Sequence, residues 1–335
     1  MVVFSSSNML RVCTWVWRMV VKEKVVRVFT PPSFEGVTSV AVLEELLKDA
    51  EDVQLDVQYT GHIDFSDYTQ FSEANVILVL GLPYTGFTLP EVFYTAVDNP
   101  FTEFIHLSTY GEAIQGEYLV SEVNENADPI WQLSNLLQHP ASNSILGTYV
   151  SFTDKATYMI QAVNAYRTWT WANNNTTKML LALYQGSFKW LPHMLRGLSL
   201  QEVIAKYAPV IKGQMQKQAD YLEKKKEVVK VYDTHIQGTD CILKVVFAEE
   251  YINELANELL NIEQTAKPVI VCVGRSTKGS DMFSIRTKGI HAGQVAHWIN
   301  EGNGKENVGS VFTGVSYAEL MASGMLKAFS QLDSE

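Results

Sequence analysis

Residues that could grip a phosphate cluster near the C-terminus. The segment Phe283-Ser-Ile-Arg-Thr-Lys-Gly289 places Ser284 and Arg286 two apart in a strand-like pattern. An arginine presents a planar fork of N–H donors that matches two phosphate oxygens. A short helical stretch follows, then Glu301-Gly-Asn-Gly-Lys-Glu-Asn-Val-Gly-Ser310. In it Gly302, Gly304 and Asn307 form a glycine loop, and Lys305 adds a positive charge. Glycines let backbone N–H groups approach an anion closely. The alternative is that Arg286 and Lys305 are ordinary solvated charges on a strand and a turn. Other candidates are weaker. His106 precedes Ser108 on one apolar run, but no Asp or second His stands at a spacing that would make a nucleophile–base pair. Trp169, Trp171 and Trp190 could stack on bases, although at helical spacing with Tyr166 they read more simply as core. Asn173-Asn174-Asn175-Thr176-Thr177 contains sequons, but reads as a polar turn or helix cap without a secretory signal.

The elements that must position these residues alternate. Val25–Thr30 is an apolar strand stopped by Pro31-Pro32. A loop through Gly36 leads to a helix over Thr38–Lys48, with Val40, Val42, Leu43, Leu46 and Leu47 at helical spacing. Val53–Tyr59, Asn75–Leu80 and Phe101–Leu107 are further strands. The unbroken apolar character of the second of these fits a parallel strand buried on both faces. Helices are expected at Trp131–His139, Ala156–Trp171 and Thr177–Tyr184. Ser199-Leu-Gln-Glu202 is a capping box that opens a long helix ending in Lys224-Lys225-Lys226, where the cations suit the negative end of the dipole. A second α/β unit follows. Its strands are expected at Val228–Tyr232, Cys241–Phe247, Val269–Val273 and Met282–Arg286, and its helices at Tyr251–Leu260, Gln294–Asn300 and Tyr317–Phe329.

The fold class is therefore α/β with two domains: a doubly wound parallel sheet with a helical extension, a long connector helix, and a smaller C-terminal α/β domain. The expected boundaries are 1–24 for an N-terminal extension, 25–198, 199–228 for the connector, and 229–335. In such sheets a site lies at the C-terminal ends of the strands.

The chain has 335 residues, 47% hydrophobic and 19% charged, which is ample for a globular core. A net charge of -11 argues against a general nucleic-acid coat, which needs a basic surface, but leaves room for a local phosphate pocket. Cys13, Cys241 and Cys272 form neither a metal pattern nor a disulfide framework, so a reducing, cytoplasmic setting is expected. The run Val12–Val21 is interrupted by Arg18 and is too short and too charged for a membrane span. It lacks a signal-peptide core, although a transit peptide and a start at Met19 both remain open.

Three features occur together in order: Gly36-Val-Thr-Ser39 after the first strand, Tyr166-Arg-Thr-Trp169 on a helix, and Ser284-x-Arg286 followed by the Gly302-x-Gly304 loop. The combination resembles the DHH phosphoesterase superfamily, with its catalytic domain and associated C-terminal domain, over roughly residues 25–330. Virus-encoded members are most similar in the first-strand and Tyr-x-Thr-Trp regions, which implies a phage or viral origin. In the family two metal ions are held by a His-x-Asp-x-Asp loop, an aspartate after the third apolar strand, an Asp-His-His motif and a last helical ligand. The corresponding positions here read Pro31, Ser33 and Glu35, then Gly81, then Ser108, Thr109 and Tyr110, and finally Arg167. A di-metal site must offset four positive charges with several carboxylates and imidazoles. The resemblance thus implies a scaffold without metals or cofactors, in which Arg167, Ser284, Arg286, Gly302, Gly304, Lys305 and Asn307 grip a nucleotide or phosphate. Lys305 stands where the family's glycine loop has a histidine.

The first expectation is a catalytically inactive relative that binds a small nucleotide or a terminal phosphate between its domains without hydrolysing it. A second is a structural or regulatory interaction module, as a homo-oligomer or within a larger assembly, with a vestigial cleft. A third is an active phosphoesterase or nuclease with a site rebuilt from Glu35, Asp64, Asp67 or Asp154.

Overall fold

The computed structural model describes residues 24–86, 88–98, 101–187, 190–236, 238–262, 265–277 and 279–314. The N-terminal extension through residue 23, with Cys13, and the helix expected at Tyr317–Phe329 lie outside the described residues. The chain divides into two compact units between Gln214 and Met215.

In the first unit the elements are β1 (Lys24–Thr30), α1 (Phe34–Leu46), β2 (Val53–Tyr59), β3 (Val76–Leu80), α2 (Glu91–Val97), β4 (Glu103–Ser108), β5 (Leu119–Val123), α3 (Pro129–Gln138), α4 (Asp154–Arg167), α5 (Asn175–Ser187) and α6 (Leu191–Leu195). Then α7 (Leu200–Glu227) crosses the division. The strands form a five-stranded sheet in the order β2-β1-β3-β4-β5, and every pairing is parallel. Alternation sorts the side chains. Val76, Leu78 and Leu80 of β3 join a core with α1, α4 and α5, while Ile77 and Val79 face the other way. That second face is aromatic. Phe93 sits 5.5 Å from Phe71 and 5.6 Å from Phe104, edge to face, and all three are buried.

Helix α1 begins four residues before the expected start. Ser33 caps it by accepting from the Gly36 N–H at 3.2 Å, so Gly36 lies in the first turn and not in a loop. Its lack of a side chain is needed. A Cβ there would overlap the Pro31 carbonyl and come within 2.6 Å of Thr30 Oγ1. Gly36→Ala should therefore cost about 1–3 kcal/mol, read as a lowered urea midpoint. An unchanged midpoint would mean that the strand-to-helix turn yields easily to a methyl group.

Helix α4 stops at Arg167, short of the expected Trp171, because Trp169 adopts a left-handed φ of 62°. The capping box is present: the Ser199 N–H donates to Glu202 at 2.7 Å, and the Glu202 N–H donates to Ser199 Oγ at 3.3 Å. Asn174 caps the start of α5 by accepting from the Thr177 N–H at 3.0 Å.

The second unit holds β6 (Lys230–Ile236), β7 (Thr239–Phe247), α8 (Ile252–Asn261), β8 (Val269–Thr277), β9 (Ser280–Lys288), α9 (Ala292–Asn300), β10 (Asn303–Gly304) and β11 (Val308–Phe312). The sheet order is β10-β11-β9-β8-β7-β6, with only β7–β8 parallel. Val246, Val269, Val271 and Val273 pack with α8 on one face. Cys241, Ile270, Cys272, Ile285 and Val311 pack with α9 on the other. Among the described residues no helix is long and apolar enough to cross a membrane.

Candidate functional site

Strands β1, β3 and β4 are neighbours in the sheet, so the residues after each of them come together at its C-terminal edge. Pro31, Gly81, Thr109 and Tyr110 arrive there by this route. Ser33 and Glu35 enter from the first turn of α1, and Arg167 from the last turn of α4. All seven line one cavity of about 190 Å³, with Thr30, Asp128 and Pro129. Of the corresponding positions singled out in the sequence, Ser108 does not line it. It is buried, and its hydroxyl donates to the Tyr110 carbonyl at 2.8 Å.

Sequence reasoning missed Asp128. Its signal, Asp128-Pro129 ahead of an apolar run, reads only as a helix start. In the fold it is fully buried. Oδ1 accepts from the Ile130 N–H at 2.9 Å, whereas Oδ2 has no hydrogen-bond partner. Burial pushes its carboxyl up to about 7, helped by the negative Glu35. The Ile130 N–H and the positive Arg167 oppose the rise. Each charge stands at the helix end that suits its sign: Glu35 and Asp128 at N-termini, Arg167 at a C-terminus. Among the described residues the Glu35 and Arg167 side chains make no hydrogen bond or ion pair.

The donor set does not fit a pair of divalent ions. The cavity offers two carboxylates, no imidazole or thiolate, and a guanidinium that repels a cation. Among the described residues no group of three or more His, Cys, Asp or Glu side chains could hold a metal. Gly81 has a left-handed φ of 78°, so an aspartate introduced there would itself carry about 1–2 kcal/mol of strain. The carboxylates considered for a rebuilt site are dispersed. Asp64 and Asp67 bond to Ser66 and Thr69 in an exposed loop, and Asp154 lines a different groove beside α6.

His106 is a structural residue. It is buried, with Nε2 donating to the Leu82 carbonyl at 2.9 Å. Nδ1 accepts from Ser121 Oγ at 2.8 Å, and that hydroxyl accepts in turn from the Ile114 N–H at 2.8 Å. Burial lowers its pKa and keeps the ring neutral. Ser108 turns to Tyr110 and not to this ring, so the two make no nucleophile–base pair. Tyr166 packs 4.8 Å from Phe34 and 6.2 Å from Trp171, within the packing of α1 and α4. Trp190 is exposed and lies 5.8 Å from His193.

In the second unit the register brings Ser284 opposite Ser310, and Arg286 opposite Val308 on β11 and Val271 on β8. Arg286 is not a solvated charge: it is 9% exposed, and its guanidinium donates to Asn253 Oδ1 at 2.9 Å and to the Ile285 carbonyl at 2.8 Å. The glycine loop is a hairpin turn, and it departs from the expected anion cradle. The N–H groups of Gly302, Gly304 and Lys305 donate to the Ala296 carbonyl at 3.0 Å, Asn303 Oδ1 at 2.7 Å and the Val308 carbonyl at 2.7 Å. The loop carbonyls of Lys305 and Glu306 accept from the first amides of α9. Its glycines answer to packing, since a Cβ on Gly302 would come within 2.7 Å of Val311 Cβ, and one on Gly304 within 2.5 Å of Gly309 Cα. Any anion here would meet the side chains of Lys305 and Asn307.

The architecture is similar to that of a solved DHH domain from a member of a ribosomal-protein family, with a TM-score of 0.57 at 10% identity over 97% of this chain and 92% of that one. It is also similar to an exopolyphosphatase-related protein from Bacteroides fragilis (TM-score 0.48, 13% identity, all of both chains). A third similar structure is Mn2+-bound RecJ from Thermus thermophilus (TM-score 0.48, 12% identity, 97% of this chain and 54% of that one). No protein-family model matches the sequence, and no curated protein does. The likeness to the first of these structures is one of fold: the chain has the α/β fold of that solved DHH domain.

Proposed function

We propose that this protein binds a small phosphate-containing ligand of the nucleotide class and does not hydrolyse it. The observation that carries the reading is the cavity at the sheet's C-terminal edge, where Arg167, unpaired among the described residues, stands beside groups unable to hold two metals. Without metals there is no activated hydroxide and no clamp on a scissile phosphate. What remains suits recognition. Arg167 can donate to the ligand, Glu35 and Asp128 can accept from it, and Ser33 and Thr30 add hydroxyls. In the second unit Lys305 and Asn307 on the loop, and Ser284 and Ser310 on the paired strands β9 and β11, are further polar groups that could meet phosphate oxygens.

The test is calorimetric titration of the full chain with a panel of nucleoside mono-, di- and cyclic nucleotides and with inorganic phosphate. Arg167→Ala should weaken the best ligand about tenfold or more, as loss of a charge-assisted hydrogen bond requires. Lys305→Ala reports separately on the second unit. Binding unaltered by Arg167→Ala would remove the cavity from the reading. If nothing in the panel binds, the interaction-module alternative takes its place.

A further inference from the structure

The cavity's hydrogen-bond inventory is unbalanced. An ionised carboxylate only accepts, which is the state of Asp128 above the value of about 7 to which burial pushes it. Asp128 Oδ2 and the Thr30 hydroxyl are buried without a hydrogen-bond partner, and the half-buried Glu35 carboxylate makes no hydrogen bond among the described residues. A buried acceptor left unsatisfied is costly. A phosphoryl group would not correct this, since it brings more acceptors and more negative charge to a space holding two carboxylates and one arginine. The missing part is a group that carries adjacent N–H donors and also an acceptor for Arg167. Adenine and cytosine offer one amino donor beside a ring acceptor, and uracil a single N–H between two carbonyls. The guanine edge offers N1–H and the N2 amino group side by side, next to O6.

Shape agrees with chemistry. A volume of about 190 Å³ is that of roughly six waters, which admits one ring system but not a whole nucleotide. Pro31 and Pro129 form part of the wall, and Gly81 lies between them: a Cβ there would sit 3.5 Å from Pro31 Cδ and 3.9 Å from Pro129 Cγ. Tyr110 lines the same cavity and is 55% exposed, so it supplies an aromatic side chain on which a base could stack.

Granting the nucleotide reading above, we propose that the cavity receives a guanine base. Asp128 and Glu35 accept from its N1–H and N2 amino group, Arg167 donates to O6 or N7, and Tyr110 covers the ring. Titrating the full chain with GMP, IMP and AMP tests this, because IMP lacks only the 2-amino group. GMP should bind about tenfold or more tighter than IMP, and tighter still than AMP. Asp128→Asn and Glu35→Gln, each checked for a native circular-dichroism spectrum, should erase the GMP-over-IMP preference. Equal affinities for the three nucleotides in the wild type would overturn the guanine assignment and leave the nucleotide reading standing. No binding of any of the three would overturn both.

Discussion

Asp128→Asn stabilises the protein, and the gain grows with pH. The Asp128 carboxyl is fully buried and its pKa is pushed from 3.8 to about 7. The folded state therefore holds a proton that the unfolded chain releases. This contribution to stability is complete below pH 3.8 and is lost as pH rises through about 7. At about 1.4 kcal/mol for each pH unit between the two values, the loss is on the order of 4 kcal/mol by pH 8. Asparagine is isosteric, still accepts from the Ile130 N–H, and never ionises. Thermal melts of wild type and variant should nearly coincide at pH 4 and separate by about 10 °C at pH 8, with the variant higher. A separation independent of pH would show that the carboxylate is neutralised by a partner or reaches water. A residue that destabilises its own fold at neutral pH is what a binding site retains when its partner is a ligand and not the protein.

Phe93→Ala should have a comparable effect of opposite sign. Phe93 is fully buried at the hub of the aromatic face, edge to face with Phe65, Phe71 and Phe104 at 6.2, 5.5 and 5.6 Å. Truncation removes its burial and leaves a cavity between rigid rings that cannot collapse, so about 3–5 kcal/mol is expected. Denaturant unfolding measures it. Because this face of the sheet is distinct from the residues lining the cavity, the surviving folded fraction should keep the wild-type ligand affinity. A loss below about 1 kcal/mol would mean that the aromatic layer is loosely packed.

Much of the fold was legible because long-range position was not needed to see it. Runs such as Val76–Leu80 are short, apolar throughout and rich in β-branched residues, which together read as a strand covered on both faces. The Ser199–Glu202 box marked the start of α7 by local chemistry alone. Elements whose pattern is diluted were missed. Strand β5 is a half-exposed edge strand, and β11 hides within a glycine-rich run. The site was half legible. The positions after β1, β3 and β4 could be foreseen as neighbours because strand ends converge in a parallel sheet. Asp128 could not, since its role depends on Glu35 and Arg167, which lie on other helices. The glycines of the loop also have a packing reason that the sequence alone does not show: Gly302 admits Val311 and Gly304 admits Gly309 as close neighbours.

Binding without turnover is the central claim, and the most direct measurement follows the fate of the ligand. The full chain is incubated with Mn2+ and the nucleotide that titrates best, and both the retained and the free pools are identified by mass spectrometry. The account predicts intact nucleotide in both pools, with retention lost in Arg167→Ala. Cleaved product that forms with the wild type and not with Glu35→Gln or Asp128→Asn would contradict it, and would make these two carboxylates the core of a working phosphoesterase site.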